Sequence, residues 1–446
     1  MTSHVDQSKL TISMQSAMSQ AIDYVQAKGA DQVEMMAKND KGFSVTARLG
    51  DVETVEHHNQ RSLGVTVYCG QAKGSARTND VSPEAIHKAM DAAFNIARFT
   101  AEDEYSGLAD KALMARDYPD LQMEHGWDID TEQALQMAID CEQVARDDTR
   151  IVNSEGATVS SIHSQLSYAN SHGFFGEYNS TQHSLSCSVV AGDDQGMQRD
   201  YWYSVSRDPG KLESTESVGQ QARERTVRRL SAHGLKTCQV PIIFEPPMAR
   251  SIISHLMGAL KGGAIYRQAS FMVDAIDKKI LPDWVDIREE PHVAGGLASA
   301  PFDNEGVRTC SRHIVENGVL QAYVLDSYSA RKLGMQTTGN AGGVHNIRLS
   351  DRPRSLDDMI KDIGKGLLVT ELIGHGVNAV TGDYSRGASG FWIEQGEIQY
   401  PVQEITIAGN LTSMLANIAE IGNDIDDRAN IQCGSILIDG MTIAGA

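Results

Sequence analysis

The stretch Val240–Gly263, VPIIFEPPMARSIISHLMGALKGG, decides how the chain is read. Val240–Phe244 is a short apolar, β-branched run, the length of one buried strand. Glu245-Pro246-Pro247 stops it and suits a helix start, because proline is tolerated in the first turn, where its missing N–H is not needed. Met248, Ile252, Leu256 and Leu260 recur every four residues with Ile253 and Met257 beside them. Arg250, Ser251, Ser254 and Lys261 fall opposite. The pattern predicts an amphipathic helix laid on a strand and closed by Gly262-Gly263. His255 stands at the border of the two faces, where an imidazole more often satisfies a boundary than binds a ligand.

A chain of 446 residues exceeds one ordinary core, so two or three domains are expected. Its 39 Lys+Arg against 59 Asp+Glu leave a net charge of −20. Such a surface repels phosphate backbones and argues against nucleic-acid binding. No apolar run approaches the roughly 20 residues of a membrane span. The start, MTSHVDQSKLTISMQSAM, lacks a charged-then-apolar signal pattern. A cytoplasmic chain without a membrane partner is expected. The six cysteines form no C-x-x-C pair and read as reduced core residues.

The fold class is α+β. In residues 1–105, apolar spacing over Met14–Val25 predicts a helix ended by Gly29. Alternation over Asp31–Thr78 predicts an antiparallel meander broken at Asn39-Asp40 and Gly50-Asp51. Ser82-Pro83-Glu84 opens a helix to about Phe99. Ala101–Asp130 is an acidic connector. Residues 106–235 form a middle α+β domain or an extension of the first. They hold a helix capped by Thr131 and strands over Arg150–Arg207, broken at Ser154-Glu155-Gly156 and Gly192-Asp193-Asp194. A basic helix, Glu216–Leu230, follows, its arginines expected on a solvated or interface face. Residues 236–446 form a mostly β domain. It has hairpins turning at Glu316-Asn317-Gly318 and Gln395-Gly396, a glycine-rich stretch Thr337–Asn346, a strand Leu367–Ile373, a loop Gly382–Gly387, a helix Leu411–Ile421 and a closing strand Ile431–Asp439.

The chain carries no G-x-S-x-G elbow and no phosphate-binding G-x-x-x-x-G-K-[ST] loop. Gly374–Ala379 fits a relaxed dinucleotide pattern but opens no helix, so it reads as a tight turn. Asp424, Asp426 and Asp427 lack the glycine and terminal glutamate of a calcium loop and read as a solvated turn. His57 and His58 point to opposite faces of one strand and do not easily share a metal.

Several blocks together resemble one family: Leu297–Thr309 (LASAPFDNEGVRT), Ser327–Gly334 (SYSARKLG), Thr338–Asn346 (TGNAGGVHN) and the long block Val369–Leu411, with Leu63–Tyr68 and Asn170–Phe174 in the first half. The chain is similar to the TldD/PmbA family, and within it to the PmbA (TldE) branch. The resemblance implies a heteromeric cytosolic zinc metallopeptidase that admits unfolded or flexible peptides to an enclosed cavity. The TldD-type subunit carries H-E-x-x-x-H on a helix and a later cysteine. Two imidazoles and a thiolate hold zinc and leave room for a water whose proton the glutamate takes. Here the corresponding helix reads Arg250-Ser251-Ile252-Ile253-Ser254-His255, and no histidine of the chain is followed by glutamate.

The resemblance therefore implies an accessory subunit with no catalytic or metal residue of its own and zinc in a TldD-like partner. Such a subunit would bind extended peptide by strand addition. Its candidate substrate-binding residues are Gly339, Gly342 and Gly343 of the glycine-rich stretch, with Asp383 and Arg386. Self-association of the isolated chain is part of the expectation. Two alternatives stay open. One is a self-sufficient homodimeric metallopeptidase using His255, His345 and Cys433. The other is a regulator that binds proteins without proteolysis.

Overall fold

The computed structural model describes residues 7–350 and 352–445. The first lobe runs α1 (Gln7–Ala27), β1 (Gln32–Arg48), β2 (Asp51–Cys69), β3 (Ala72–Thr78), α2 (Pro83–Phe99), α3 (Thr131–Arg146), β4 (Ile151–Asn170), β5 (Phe174–Asp193), β6 (Gly196–Ser206) and α4 (Thr215–Val227). Among the described residues its strands make one antiparallel sheet in the order β3-β2-β1-β4-β5-β6. β1 pairs β4 from Glu34 opposite Asn170 to Ala47 opposite Ala157. The 1–105 and 106–235 segments are thus joined through one sheet.

The side-chain period of 2 gives that sheet its two faces. On β1, Val33, Met35, Ala37, Val45 and Ala47 are all buried. Helices α1 and α2 cover one end of this face, over Val33, Met35 and Val65. Helices α3 and α4 cover the other end, over Val45, Val159 and Leu185. The opposite face meets the second lobe where Tyr168, Phe174 and Tyr178 surround Phe302.

The second lobe runs β7 (Cys238–Phe244), α5 (Pro246–Ala259), α6 (Gly262–Tyr266), β8 (Ile287–Glu289), β9 (Arg312–Glu316), β10 (Val319–Leu320), α7 (Ser327–Lys332), β11 (Ile347–Leu349), α8 (Leu356–Ile363), β12 (Lys365–Ile373), β13 (Asp383–Glu394), β14 (Glu397–Asn410), α9 (Leu411–Ala416), β15 (Ile418–Ile421), β16 (Ile431–Gln432) and β17 (Ile436–Ala444). One sheet has the order β14-β13-β12-β7-β17-β15, and β14 also pairs β17, so the ladder closes on itself. β7 lies inside it, parallel to β12 and antiparallel to β17. Its Ile242 and Phe244 pack in the core with α5, and Ile243 packs with α8. Burial on both faces explains its unbroken apolar run. A second, smaller sheet has the order β10-β9-β8-β11-β16.

Several expectations need correction. β1 continues through Asn39-Asp40, which pairs with strands on both sides, and β4 continues through Ser154–Gly156 as a bulge against β5, the ladder outweighing local turn chemistry. The cap of α3 is Asp130, in a capping box with Gln133, one residue before Thr131. α5 stops at Ala259, and Gly262 opens the separate helix α6. Asp383–Arg386 is strand, not loop. The helix from Leu411 ends at Ala416 and gives way to β15. The closing strand is split at Cys433–Ser435.

Three carboxylates gather where the lobes meet, Asp303 buried and Glu34 and Glu305 half-buried. Glu34 accepts from the hydroxyls of Tyr68 and Tyr168, each at 2.9 Å. Asp303 Oδ1 accepts from the amides of Glu305 and Val307, and its Oδ2 accepts from Ala341 N. Glu305 accepts from Ser327 N. Burial pushes Asp303 up to about 6. Burial, with the charge of Asp303 beside it, pushes Glu305 up to about 7. A carboxyl whose folded pKa is raised stabilises the fold most below its unfolded pKa, and loses that contribution as pH rises through the folded value. Glu305→Gln is therefore expected to be more stable than the native chain at pH 8, by about 1–3 kcal/mol, with the difference vanishing towards pH 5. Thermal unfolding of both proteins across that range checks this, and a pH-independent difference contradicts it.

Candidate functional site

A cavity of about 610 Å³ opens between the lobes. Its walls come from β6 and α4 of the first lobe and, in the second, from the start of α5, the 293–297 loop and the 424–428 loop. Charge and aromatic stacking build the wall. Arg225 and Arg228 lie three residues apart on or just beyond α4, so both point to one side. Both reach Glu245, at 3.2 and 2.9 Å. Arg225 and Arg229 also reach Asp200 of β6, each at 3.5 Å, and Arg229 pairs with Glu371 of β12. Burial works against the charge of Arg225, but Glu245 and Asp200 raise its pKa above the ordinary value. The indole of Trp202 has the guanidinium of Arg225 at 5.4 Å and that of Arg428 at 3.8 Å. Arg428 in turn donates to both oxygens of Asp426 and to the carbonyl of Tyr203.

Asp426 is thus a buried ion-pair partner of Arg428 and Arg250, and Asp424 accepts from the amide and hydroxyl of Ser435. The expected solvated aspartate turn is instead a folded corner of the cavity. Arg207 differs from its neighbours. It is buried and donates to the carbonyls of Gly296, Thr181 and Leu297, with no carboxylate in its ion-pair range among the described residues. Burial lowers its pKa for that reason.

The cavity continues beyond Arg207. That residue also lines a trough of about 360 Å³ on the open face of the first sheet, between Lys38 and Asp40 of β1, His58 and Gln60 of β2, and Ser180 of β5. His125 and Tyr178 border a third space of about 560 Å³ beside the connector. Together these spaces mix apolar side chains with carbonyls, hydroxyls, amides and one guanidinium that has no carboxylate partner.

Helix α5 points its start at this cavity but offers no free amides there. Its first two positions are proline, and Met248 N bonds back to Glu245 O at 2.8 Å. Further along, half-buried His255 packs edge-on against Tyr384 at 6.3 Å between ring centroids, with Nε2 unpartnered. Burial and then the charge of Arg386 lower its pKa, so the ring is neutral at pH 7. Cys433 is buried with Sγ 3.9 Å from the Pro246 carbonyl, and desolvation pushes its thiol up to about 12. A zinc-ligating cysteine is a thiolate. His345 lies elsewhere, its Nδ1 3.0 Å from Glu289. His255, His345 and Cys433 therefore face three different neighbours. Among the described residues no three His, Cys, Asp or Glu side chains are grouped to hold a metal. This donor set does not fit zinc.

The substrate-binding candidates fall into two places. Gly339 (φ +70°) and Gly342 (φ +103°) occupy the left-handed region, and a Cβ on them would sit 2.7 Å from Arg308 O and 2.5 Å from Asn304 Nδ2. Gly343 has open space around it. This turn is clasped by Glu289, which accepts from Asn340 Nδ2, His345 N and Arg312 Nε at 2.7, 2.8 and 2.9 Å. Burial opposes that carboxylate, but His345 and Arg312 hold it down to about 2. Asp383 is exposed and accepts from Thr381 Oγ1 and Asn410 Nδ2. Arg386 donates to Leu372 O and stands beside Tyr384, whose hydroxyl is pushed up to about 12 by burial. Asp383 and Arg386 form no ion pair with each other. The arginine strip of α4, Trp202 and Arg207 carry the cavity and were not singled out by sequence. The signal was the Arg225, Arg228 and Arg229 spacing, which makes one strongly basic helix side.

Comparison with known proteins now fixes the family. Residues 36–97, 124–230 and 237–445 match the first, central and C-terminal domains described for PmbA/TldA metallopeptidases. The chain is 48% identical to "Metalloprotease PmbA" of Escherichia coli O157:H7, over 97% of this chain and 96% of that one. The chain belongs to the PmbA family. PmbA likeness is also strong in Haemophilus influenzae, where a "Metalloprotease PmbA homolog" is 49% identical over 97% of this chain and 96% of the relative. By contrast, a "Metalloprotease TldD homolog" of Buchnera aphidicola is 20% identical over 87% of each chain. Among solved structures, one from Bacteroides thetaiotaomicron superposes with a TM-score of 0.92 at 27% identity, covering 97% of this chain and 99% of that one. TldE from Thermococcus kodakarensis shares the fold, with a TM-score of 0.83 at 20% identity over 96% and 100% of the two chains.

Glu245 is the test of the cavity wall. Its removal leaves Arg225 and Arg228 short of a buried partner, and breaking a buried pair costs about 3–5 kcal/mol. Glu245→Ala is expected to lose stability of that order in urea unfolding, and Glu245→Gln less. A neutral Glu245→Ala contradicts the reading of the junction.

Proposed function

We infer that this PmbA-family chain is the accessory, TldE-type subunit of a heteromeric zinc metallopeptidase that cleaves unfolded or flexible peptides. Zinc and the water-activating glutamate belong to a TldD-like partner. This chain shapes the cavity and holds the peptide backbone. One observation carries the reading: the helix that should bear the metal ligands offers a single neutral imidazole, while a cavity of mixed apolar and charged lining lies at its start. The family's metalloprotease names support the proteolytic setting. No helix of the described residues is long and apolar enough to cross a membrane, which agrees with a cytoplasmic site of action. Arg207 and the Gly339–Gly343 and Asp383–Arg386 segments are the candidate peptide contacts.

The test is reconstitution. The purified chain is expected to hold no stoichiometric zinc and to leave an unfolded peptide intact. Mixing with a TldD-like chain carrying H-E-x-x-x-H is expected to produce hydrolysis that a chelator abolishes. Arg207→Ala in the mixture is expected to raise KM more than it lowers kcat, since the lost contact is with bound peptide. Stoichiometric zinc in the isolated chain, with activity lost in His255→Ala, overturns the reading.

A further inference from the structure

The turn Phe302–Val307 is where the second lobe presses onto the first sheet. A Cβ on Gly176 of β5 would sit 2.6 Å from the Phe302 ring. Gly306 (φ +73°) lies against Tyr168 and Phe174, each 2.8 Å from where its own Cβ would stand. A larger residue at either place would push the turn off the sheet. Backbone bonds tie the turn to the connector: Ala115 N donates to Gly306 O and Arg308 N to Leu113 O, both at 3.0 Å. The connector is held in turn to β1, where Leu108 N donates to Gln32 Oε1.

The same seat carries three carboxyls and no counter-ion. Glu34 comes from the first lobe, Asp303 and Glu305 from the turn. Their hydrogen-bond partners among the described residues are hydroxyls and amides. The cations facing them are committed elsewhere. Arg331 of α7, near Tyr68, donates to the carbonyls of Tyr105, Gly107 and Leu108. Lys332 pairs with Asp103 at 3.5 Å. His345 faces Asp303 but bonds Glu289. Lys73 of β3 acts on Glu34 only through space. Burial, then the charge of Glu34, raises the phenols of Tyr68 and Tyr168, so both stay donors.

We propose that this cluster is a proton-operated latch between the lobes: a proton held among Glu34, Asp303 and Glu305 keeps the Phe302–Val307 turn seated, and its loss lets the turn lift from the first sheet. Like charges in one water-poor site cannot all ionise, so a shared proton does what no cation does here. Ionising the whole cluster sets unpaired charge against aromatic rings, and hydration relieves it only if the turn moves out. Burial raises Glu34, Asp303 and Glu305, and the charges of Asp303 and Glu34 raise Glu305 further. The cohesion is therefore complete below the ordinary carboxyl range and lost as pH rises through about 6 to 7. The latch bears on the spaces between the lobes. Lifting the turn draws Phe302 from its aromatic cage, and Tyr178 of that cage lines both the trough and the space beside the connector. Seating of one turn thus sets the width of both. The latch does not depend on where zinc resides.

Hydrogen exchange on the full chain, corrected for the intrinsic base-catalysed rate, reads the latch at its own bonds. Between pH 6 and pH 9 the amides of Ala115 and Arg308 are expected to open about tenfold more often, while those of Ile242–Phe244 in β7 change by less than about twofold. Glu305→Gln still accepts from Ser327 N but cannot ionise. It is expected to hold both amides at their pH 6 protection across the range. Glu34→Gln keeps an acceptor for the tyrosines and removes one like charge, and it is expected to cut the excess at least about twofold. No excess opening in the native chain overturns the proposal. So does an excess that both variants retain, or one that β7 shares, which is unfolding of the whole lobe.

Discussion

Glu245 is where the two lobes exchange charge. It closes the apolar strand β7, caps the start of α5 by position alone, and spends its carboxylate on Arg225 and Arg228 of the first lobe. An isolated buried charge is expensive, so each member of this junction exists only because the others do. Asp200 and Glu371 complete it from β6 and β12. The cavity follows from this arrangement. Guanidiniums that must stay paired cannot pack as closely as methyl groups, and Trp202 supplies an aromatic face that tolerates two of them. The space left between the lobes is therefore bounded by ion pairs on one side and by apolar side chains such as Val293 and Leu297 on the other.

The parts of the fold that were legible are those with a clean period or a clean punctuation. Strand β7, helix α5, helix α2 with its Ser82 cap, and the Asn317-Gly318 turn with both residues at positive φ all follow from local chemistry. The misreadings share one cause. Asn39-Asp40 and Ser154-Glu155-Gly156 look like turns in isolation, yet the first is paired on both sides and the second forms a bulge in the ladder with β5, and ladder hydrogen bonds override a weak local preference. Asp383–Arg386 became strand through its ladder with Ile407–Asn410. Helix α8 went unread although Ser355 and Asp358 form a capping box in plain sequence.

The site was less legible than the fold because its members come from distant segments. Nothing local joins Trp202 to Arg428, or Glu245 to Arg228. What the sequence did carry was an absence: a helix with the right apolar face, the right prolines and one imidazole. At those positions the structure shows side chains held by contacts within the fold. Arg250, where the sequence comparison placed a histidine, pairs with Asp426 at 3.6 Å and so fastens α5 to the 424–428 loop. Ser251, in the next position, donates to Met248 O within its own helix. Both side chains have become structural.

Arg207 is the exception that gives the cavity direction. The other guanidiniums on the wall, Arg225 and Arg428, are matched by acids, so their fields cancel within a few ångströms. A guanidinium satisfied only by carbonyl oxygens keeps its hydrogen bonds but not a counter-charge, and in a desolvated site that charge reaches farther than it would in water. It sits where the inter-lobe cavity passes into the trough on the open sheet face. On the proposed peptide-binding reading, a peptide carboxylate or a line of peptide carbonyls reaching that point would meet attraction there. The constraint that forced the arginines of α4 into pairs thus leaves one position free to act on whatever enters, and that position lies at the junction of the two spaces a bound chain would occupy.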